Sequence, residues 1–209
     1  MPTEYERSSR DRILVTARTL FAALGYDNTS TAAVARNAGT SESQLMKHFG
    51  GKAGLLEAIF SEGWERINAR VTECFRSAGD FAARLSCVPD IVFERLDQDP
   101  ELKALVFLEA HRMRSMARSN PESSGYARFI GMIDGAIAQG KADGELKGAV
   151  AALPLRSAIA GMIEGGVREQ VLAERGNFPA RYGTGEYSKL LNGFLEAIVA
   201  GGRTAGATR

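Results

Sequence analysis

Residues 30–49, STAAVARNAGTSESQLMKHF, predict two short helices joined by a tight turn. Ser30 or Thr31 can cap the first helix, because a side-chain oxygen there accepts a hydrogen bond from a free backbone N–H group. Gly39 follows where the chain must turn sharply and where a Cβ atom would be costly. Ser41 can then cap the second helix. This pattern is typical of a helix-turn-helix unit.

The second helix of this unit is predicted to have one inward and one outward face. Leu45 and Phe49 are four residues apart, so both can point inward and anchor the helix. The remaining polar side chains point outward, and they are Glu42, Ser43, Gln44, Lys47 and His48. An exposed helix with such side chains suits the major groove of DNA.

The helix-turn-helix pattern lies within a longer set of spaced residues, which comprises Ile13, Leu14, Ala17, Leu20, Phe21, Gly25, Tyr26, Thr29, Ser30, Val34, Ala35, Ala38, Gly39, Ser41, Leu45, Phe49 and Lys52. Together these residues resemble the N-terminal domain of the TetR-type (TetR/AcrR) transcriptional regulators. The resemblance implies an all-α homodimer that binds a palindromic DNA operator and is released by a small-molecule effector. It implies repression more often than activation.

The resemblance also implies a division of the chain. Residues 9–54 are expected to form a three-helix, helix-turn-helix DNA-binding domain. Residues 55–209 are expected to form a helical domain that binds the effector and mediates dimerisation. Residues 1–8 show no periodicity, and we expect them to be disordered.

The outward face of the second helix predicts which side chains read bases. Gln44 is the best candidate, because a carboxamide can form two hydrogen bonds to an adenine edge. Ser43 is short enough to approach the bases closely, and Lys47 can reach a guanine or a phosphate. A carboxylate such as Glu42 can accept from the cytosine amino group.

Phosphate contacts are predicted around the same helix. Thr31 lies at a helix N-terminus and offers its hydroxyl and backbone N–H groups to a phosphate. Ser41, at the start of the second helix, belongs to the same predicted contact set. The resemblance adds His48 and Lys52, which match positions that usually touch phosphate.

Two residues depart from the family pattern. Met46 stands where a tyrosine is usual, and it cannot donate a phenolic hydrogen bond to phosphate. Glu42 stands where a lysine or a neutral polar residue is common, and its charge opposes phosphate. These departures favour the alternative that the chain is a helical dimerisation or adaptor protein that kept the fold without sequence-specific DNA binding.

The rest of the chain predicts further helices and no strand. An apolar stripe from Leu56 to Phe75 predicts a long helix, which in the family links the two domains and can transmit movement between them. A helix from Phe81 to about Gln98 is expected to kink or break at Pro89. Four more helices are expected: from Pro100 through Met116, from Asn120-Pro121 onward, from Ala149 to about Arg175, and from Glu186 to about Ala200.

The resemblance places an effector cavity among these C-terminal helices. Candidate lining residues are Phe107, His111, Met116, Tyr126, Phe129, Met162 and Glu164. Aromatic and thioether side chains can line an adaptable apolar pocket, although they can equally be ordinary core. Glu164 is the one charge in an apolar sequence neighbourhood and could recognise a cationic or hydroxylated effector, or pair with Arg168 on the helix surface.

In the family, the last two helices meet their symmetry mates in a four-helix dimer interface. Here they carry apolar residues such as Ile159, Ile163, Leu190 and Phe194, with small residues such as Gly161 that permit close approach. The alternative is that these apolar faces form the core of one chain.

Composition narrows the remaining function classes. The formal charge of +1 disfavours a nonspecific nucleic-acid coat, and the polar N-terminus and lack of a long apolar run predict a cytoplasmic protein without membrane contact. Cys74 and Cys87 are thirteen apart and suggest neither a disulfide framework nor a zinc site. Two buried thiols are the simpler interpretation, and a redox-sensing pair is the alternative.

The sequence predicts no enzyme. A helical di-iron oxygenase would need Glu-x-x-His pairs, and only His48 and His111 occur. No nucleophile motif or phosphate-binding glycine loop is found. We therefore expect no catalytic residue, no metal site and no cofactor.

Overall fold

The computed structural model describes residues 8–113, 125–146, 150–174, 176 and 182–204. Over these residues the chain is helical. The helices are α1 (Ser9–Leu24), α2 (Thr31–Asn37), α3 (Glu42–Phe49), α4 (Lys52–Ser77), α5 (Phe81–Asp97), α6 (Pro100–Met113), α7 (Gly125–Ala142), α8 (Ala152–Glu174) and α9 (Thr184–Thr204). Within this part of the chain, no helix is long and apolar enough to cross a membrane.

Helices α1 to α3 pack around a small apolar centre. Ile13, Ala17 and Phe21 of α1 are fully buried, as are Val34 of α2 and Leu45 of α3. Fully burying a side chain such as phenylalanine or leucine contributes about 1.5–3 kcal/mol, so these few residues fix the position of α3 on the other two helices. The three-helix arrangement predicted from the sequence is thus confirmed.

Each helix of this unit begins and ends with a local signal. Ser8 and Ser30 accept hydrogen bonds from backbone N–H groups at the starts of α1 and α2. Gly39, in the turn between α2 and α3, has a φ of +62°, a conformation that side chains with a Cβ rarely adopt. Residues 1–7, part of the segment expected to be disordered, lie outside the described residues.

Helix α4 leaves this unit and forms the centre of the C-terminal helices. It is continuous from Lys52 to Ser77, and it passes through the boundary expected between residues 54 and 55. Gly63 of α4 lets α6 approach closely, since a Cβ added there would lie 2.6 Å from the Leu102 Cδ1 atom. On a neighbouring face of α4, the Trp64 ring packs against Phe129 of α7 with the ring centroids 5.2 Å apart.

Of the kink or break expected at Pro89, the break does not occur, and α5 is continuous from Phe81 to Asp97. A proline removes one backbone hydrogen bond and crowds the preceding turn. Pro89 is buried in the core, as are Val88 and Ile91 on the same helix. Helix α5 packs against both α4 and α9. Tertiary packing on two sides therefore keeps the helix continuous.

The expectation of two separate thiols at Cys74 and Cys87 is wrong, because the structure joins them in a disulfide. Their Cα atoms are 6.8 Å apart, within the range that a disulfide spans. The sequence spacing gave no hint, because the two residues lie on different helices that come together only when α4 and α5 fold into an antiparallel pair. The bond ties the last turns of α4 to the middle of α5.

Helices α8 and α9 do not pack mainly against each other. Helix α9 packs mainly along α5, whereas α8 packs against α6 and α7. Tyr187 at the start of α9 lies against Gly166 of α8, where an added Cβ would be 2.3 Å from the ring. The Tyr187 hydroxyl also donates a 2.7 Å hydrogen bond to the Met162 carbonyl oxygen.

Candidate DNA-binding face and effector region

Helix α3 is held firmly at both ends and on one face. The Ser41 hydroxyl oxygen accepts a 3.2 Å hydrogen bond from the Gln44 backbone N–H, and Gly50 ends the helix in the left-handed conformation. Leu45 is fully buried beneath the helix. Ser43 and Lys47 are exposed on the opposite side of the helix from Leu45. This geometry leaves one polar face free to enter a groove.

Two of the predicted DNA contacts are hydrogen-bonded to each other. The Thr31 hydroxyl at the start of α2 donates a hydrogen bond to the Glu42 carboxylate at the start of α3. The carboxylate therefore lies at the N-termini of both helices, where the helix dipoles favour a negative charge. The bond fixes the two helices relative to each other, which is a role that the sequence did not indicate for Glu42.

The side chain of Gln44 is also oriented by a neighbour. Its Oε1 atom accepts a hydrogen bond from the Thr40 hydroxyl. The Gln44 amide nitrogen has no hydrogen-bond partner among the described residues, and it remains available to an acceptor on a base edge. The Oε1 atom has a second lone pair, so Gln44 can still accept from an adenine amino group while it is bonded to Thr40.

The C-terminal end of α3 meets the start of α1. The His48 Nε2 atom lies 3.2 Å from the Ser9 hydroxyl oxygen. The Arg10 guanidinium stacks over the Phe49 ring, 5.3 Å from its centroid. Arg10 is exposed and adds a positive charge beside the end of α3. Sequence analysis missed it because Arg10 and Phe49 are far apart in the chain, and only the fold brings them together.

Lys52 begins α4 and is partly held by the loop after α1. Its Nζ atom donates a 3.3 Å hydrogen bond to the Asp27 carbonyl oxygen and lies 4.2 Å from the Tyr26 ring centroid. The charge is thus held at the start of α4, directly after the turn that ends α3. Met46, at the position where the family has a tyrosine, is 49% exposed, and its thioether lies against Gly51.

The predicted effector residues fall into two groups. The side chains of Phe107 and His111 and the whole of Met116 lie outside the described part of the chain. Tyr126 and Phe129 of α7 cluster with Trp64 of α4, with 5.1 Å between the Tyr126 and Trp64 ring centroids. Phe129 is buried in that cluster.

Glu164 is exposed, not enclosed by apolar side chains as its sequence neighbourhood suggested. Its Oε1 atom accepts a 2.7 Å hydrogen bond from the Tyr126 hydroxyl, so the carboxylate is bonded to a tyrosine on α7. Its neighbour Ile163 points into the core on another face of α8. Met162, two positions earlier, is half-buried.

One polar residue of the aromatic cluster was missed. Asn68 of α4 is buried, and its Nδ2 atom donates a 2.9 Å hydrogen bond to the Gly125 carbonyl oxygen at the start of α7. Its Oδ1 atom has no hydrogen-bond partner within the described residues. A polar residue that interrupts the apolar stripe between Ile67 and Val71 was the available signal.

The apolar faces of α8 and α9 divide between core and surface. Ile159, Ile163, Leu191 and Leu195 are buried within the chain, so for these residues the core interpretation is correct. An exposed apolar surface remains on both helices, formed by Leu153, Gly161, Leu190, Gly193 and Phe194. Three of these residues, Leu153, Leu190 and Phe194, are at least 50% exposed.

A protein-family model matches the N-terminal part of the chain. Residues 13–59 match the model described as bacterial regulatory proteins, tetR family. This range contains α2, α3 and the turn between them, together with most of α1 and the start of α4. None of the curated proteins compared with the chain shows significant similarity to it.

Solved structures share the fold over nearly the whole chain. The fatty acid degradation regulator FadR from Bacillus halodurans is 19% identical, with a TM-score of 0.75, and the match covers 91% of this chain and 95% of that chain. The transcriptional regulator FadR from Bacillus subtilis, solved in complex with stearoyl-CoA, is 23% identical, with a TM-score of 0.73 and coverage of 91% and 98%.

A third solved structure gives the same result. A putative TetR-family transcriptional regulator from Rhodococcus sp. is 25% identical, with a TM-score of 0.70 and coverage of 91% of this chain and 98% of that chain. The family match includes α3, and the structural matches cover both the N-terminal helices α1 to α3 and the C-terminal helices. Residues 13–59 therefore match the tetR family of bacterial regulatory proteins, and the chain as a whole shares the fold of solved TetR-family regulators.

Proposed function

We propose that the chain is a TetR-type transcriptional regulator, a repressor that binds a palindromic operator as a homodimer and leaves it when a small molecule binds the C-terminal helices. The observation that carries the proposal is the exposed polar face of α3, capped by Ser41 and anchored by the buried Leu45. The match of the DNA-binding family model to this region favours DNA recognition over the adaptor alternative.

Base reading is assigned to the centre of the α3 face. Gln44 presents its amide nitrogen to a base acceptor, and Lys47 reaches a guanine or a phosphate. Ser43 lets the helix approach the bases closely. Glu42 is held by Thr31 at the edge of this face, which limits its repulsion of the DNA backbone.

Phosphate binding is assigned to groups around the edge of that face. Thr31 and Ser41 lie at helix N-termini, whose N–H groups favour phosphate. His48 and Lys52 lie at the other end of α3, and Arg10 adds a third basic group there. Contacts of this kind fix the position of the protein on the duplex, whereas the base contacts discriminate between sequences.

Dimerisation is assigned to the exposed apolar surface of α8 and α9. Leu190 and Phe194 are four residues apart on α9, so they form one stripe on the helix. Among the described residues, no atom beyond the helix's own backbone lies within 4 Å of a Cβ added at Gly161 of α8, so this position would admit a neighbouring helix closely. A two-fold axis through this surface would present one α3 helix to each half-site of a palindrome.

Effector binding is assigned to the region between α4, α7 and α8, beside the aromatic cluster. Tyr126 and Met162 offer a partly apolar lining, and Asn68 offers a buried carbonyl oxygen without a partner among the described residues. A partly apolar ligand fits these groups. Stearoyl-CoA, which is bound in the FadR structure from Bacillus subtilis, is a reasonable first probe, with coenzyme A alone as the control.

The proposal includes two domains, residues 9–54 for DNA and residues 55–209 for the effector and the dimer, in a cytoplasmic protein. Because α4 is continuous between them, a shift of its C-terminal half moves the N-terminal unit. The effector then acts by favouring the conformation that does not bind DNA.

A reporter experiment tests repression directly. The operator selected by the purified protein is placed between a promoter and a reporter gene in a host that lacks the regulator. Co-expression of the protein should lower reporter output, and a variant with a scrambled α3 face should not. Higher output on co-expression would show activation instead.

A further inference from the structure

We propose that Arg18 sets the spacing of the two operator half-sites, by fixing the N-terminal unit to an ion-paired corner between α5 and α6. The corner comprises residues 97–103. The proposal rests on the function proposed above, because it concerns how two α3 helices are held apart in the dimer.

The corner is the place where charged groups join α1 to the C-terminal helices. The Arg18 guanidinium of α1 pairs with the Asp99 carboxylate. Its Nε atom lies 3.1 Å from the Glu101 Oε2 atom, and the neighbouring Thr19 hydroxyl donates a 2.9 Å hydrogen bond to Glu101 Oε1. One turn of α1 is thus bonded to the first turn of α6 at several points.

Asp99 is a shared and nearly buried partner, with 6% of its surface exposed. Its Oδ2 atom also lies 2.6 Å from the Arg95 guanidinium of α5, and its Oδ1 atom caps α6 through the Leu102 N–H. Loss of one partner of a buried ion pair leaves an uncompensated charge. Arg18 shares this carboxylate with Arg95, so if α1 shifted on the corner, the Arg18 guanidinium would be the charge that loses its partner.

The same corner is tied to the far ends of the C-terminal helices. The Lys103 ammonium is buried and lies 2.8 Å from Glu174 Oε1, at the last residue of α8, and 3.2 Å from Asp97 Oδ1. The Thr184 hydroxyl at the start of α9 donates a 2.5 Å hydrogen bond to Asp97. A movement of α6 or of the end of α8 would therefore change the surface on which Arg18 rests.

These contacts act on half-site spacing because the dimer surface and the DNA face lie on different parts of the chain. In the proposed dimer, contact with the partner copy holds α8 and α9 in place. Helix α3 is held against α1 by the small N-terminal core. The angle between the two parts depends on how α1 rests on α6 and on α4. In a two-fold dimer, that angle determines the distance between the two recognition helices.

The test compares Arg18→Met with wild type on duplexes that differ only in half-site spacing. The parent operator and versions with one or two base pairs added or removed at the centre are bound at one salt concentration. We expect wild type to prefer the parent spacing strongly. Arg18→Met should reduce the ratio of the affinities for the parent and the altered spacings by about fivefold or more, a usual size for coupling between two sites. The preference for the base pair that Gln44 reads should not change.

Three controls make the outcome specific. Arg76→Met removes an exposed arginine at the end of α4 that pairs with Glu73 on the same helix, and it should behave as wild type. Arg18→Lys should give an intermediate preference. Glu174→Gln, at the far side of the corner, should reduce the spacing preference in the same direction and by less.

The proposal is overturned if folded Arg18→Met keeps the wild-type spacing preference, or if wild type itself binds all spacings equally. If Arg18→Met does not fold, Glu101→Gln serves in its place, because Glu101 is 40% exposed and its replacement leaves Asp99 paired. A wild-type protein that binds no duplex sequence-specifically would instead refute the proposed function.

Discussion

The Thr31 hydroxyl at the start of α2 donates a hydrogen bond to the Glu42 carboxylate at the start of α3. This bond connects the two helices of the helix-turn-helix at their N-terminal ends, where we propose that a phosphate binds. It explains how a glutamate is tolerated on this face, since its charge interacts with two helix N-termini.

Glu42→Gln should raise the affinity for all duplexes. The amide can still accept from Thr31, but the negative charge that opposes phosphate is gone. Fluorescence anisotropy with specific and unrelated duplexes measures the change, with the exposed Glu73→Gln on α4 as the control. If the variant instead lost affinity only for duplexes that carry one particular base pair, Glu42 would be reading a cytosine at that position.

Gln44→Ala should relax the sequence preference at one base pair of each half-site. The expected cost on the preferred sequence is about 1–3 kcal/mol, the usual value of a two-point base contact. Competition binding with duplexes substituted at each position in turn measures how strongly the protein discriminates between base pairs at that position. Gln139→Ala on α7, an exposed glutamine bonded to Asp143, should leave all preferences unchanged.

Lys52→Ala should weaken binding to every sequence by a similar factor. When a side chain that binds one phosphate is removed, the slope of log affinity against log salt concentration becomes shallower by about one. Because Lys52 also packs on Tyr26, the thermal midpoint of the variant has to be measured alongside. A selective decrease in affinity for one operator sequence would contradict the phosphate assignment.

The Cys74–Cys87 disulfide should stabilise the C-terminal helices measurably. For a crosslink across a sequence separation of 13 residues, the chain-entropy argument gives about 3 kcal/mol. Urea unfolding of the oxidised protein should therefore show a higher midpoint than that of Cys74→Ser/Cys87→Ser. A reductant should lower the midpoint of the wild type only; two freely titratable thiols in the untreated protein would show that the bond is not formed.

Phe194→Glu should convert the dimer into monomers. Phe194 is 50% exposed on α9, and a charge there would have to be buried between two copies of the chain. Light scattering after gel filtration gives the molecular mass. Leu24→Glu introduces the same charge on an exposed residue at the end of α1, and it should leave the mass unchanged. An unchanged mass for Phe194→Glu would exclude this surface as the dimer interface.

The sequence predicted the helices of the helix-turn-helix unit well because their signals are local. Ser30, Ser41 and Gly39 act within one or two turns, and Leu45 and Phe49 define the buried face by their spacing alone. The C-terminal helices were found from their apolar periodicity, with α8 and α9 beginning within about three residues of the expected positions.

The features that were missed all depend on tertiary proximity. Arg10 reaches Phe49, Cys74 reaches Cys87 and Arg18 reaches Asp99 only after helices from distant parts of the chain have packed. No periodicity records such pairs. The sequence likewise could not separate apolar residues of the core from those of the surface on α8 and α9, since both recur at helical spacing.

Selection of random duplexes by the purified full-length protein, followed by sequencing, tests the central claim most directly. The proposed function predicts a palindromic motif with one defined half-site spacing, whose enrichment falls as salt is raised. Enrichment of no motif at low salt, or of a motif without two-fold symmetry, would contradict a dimeric operator-binding regulator.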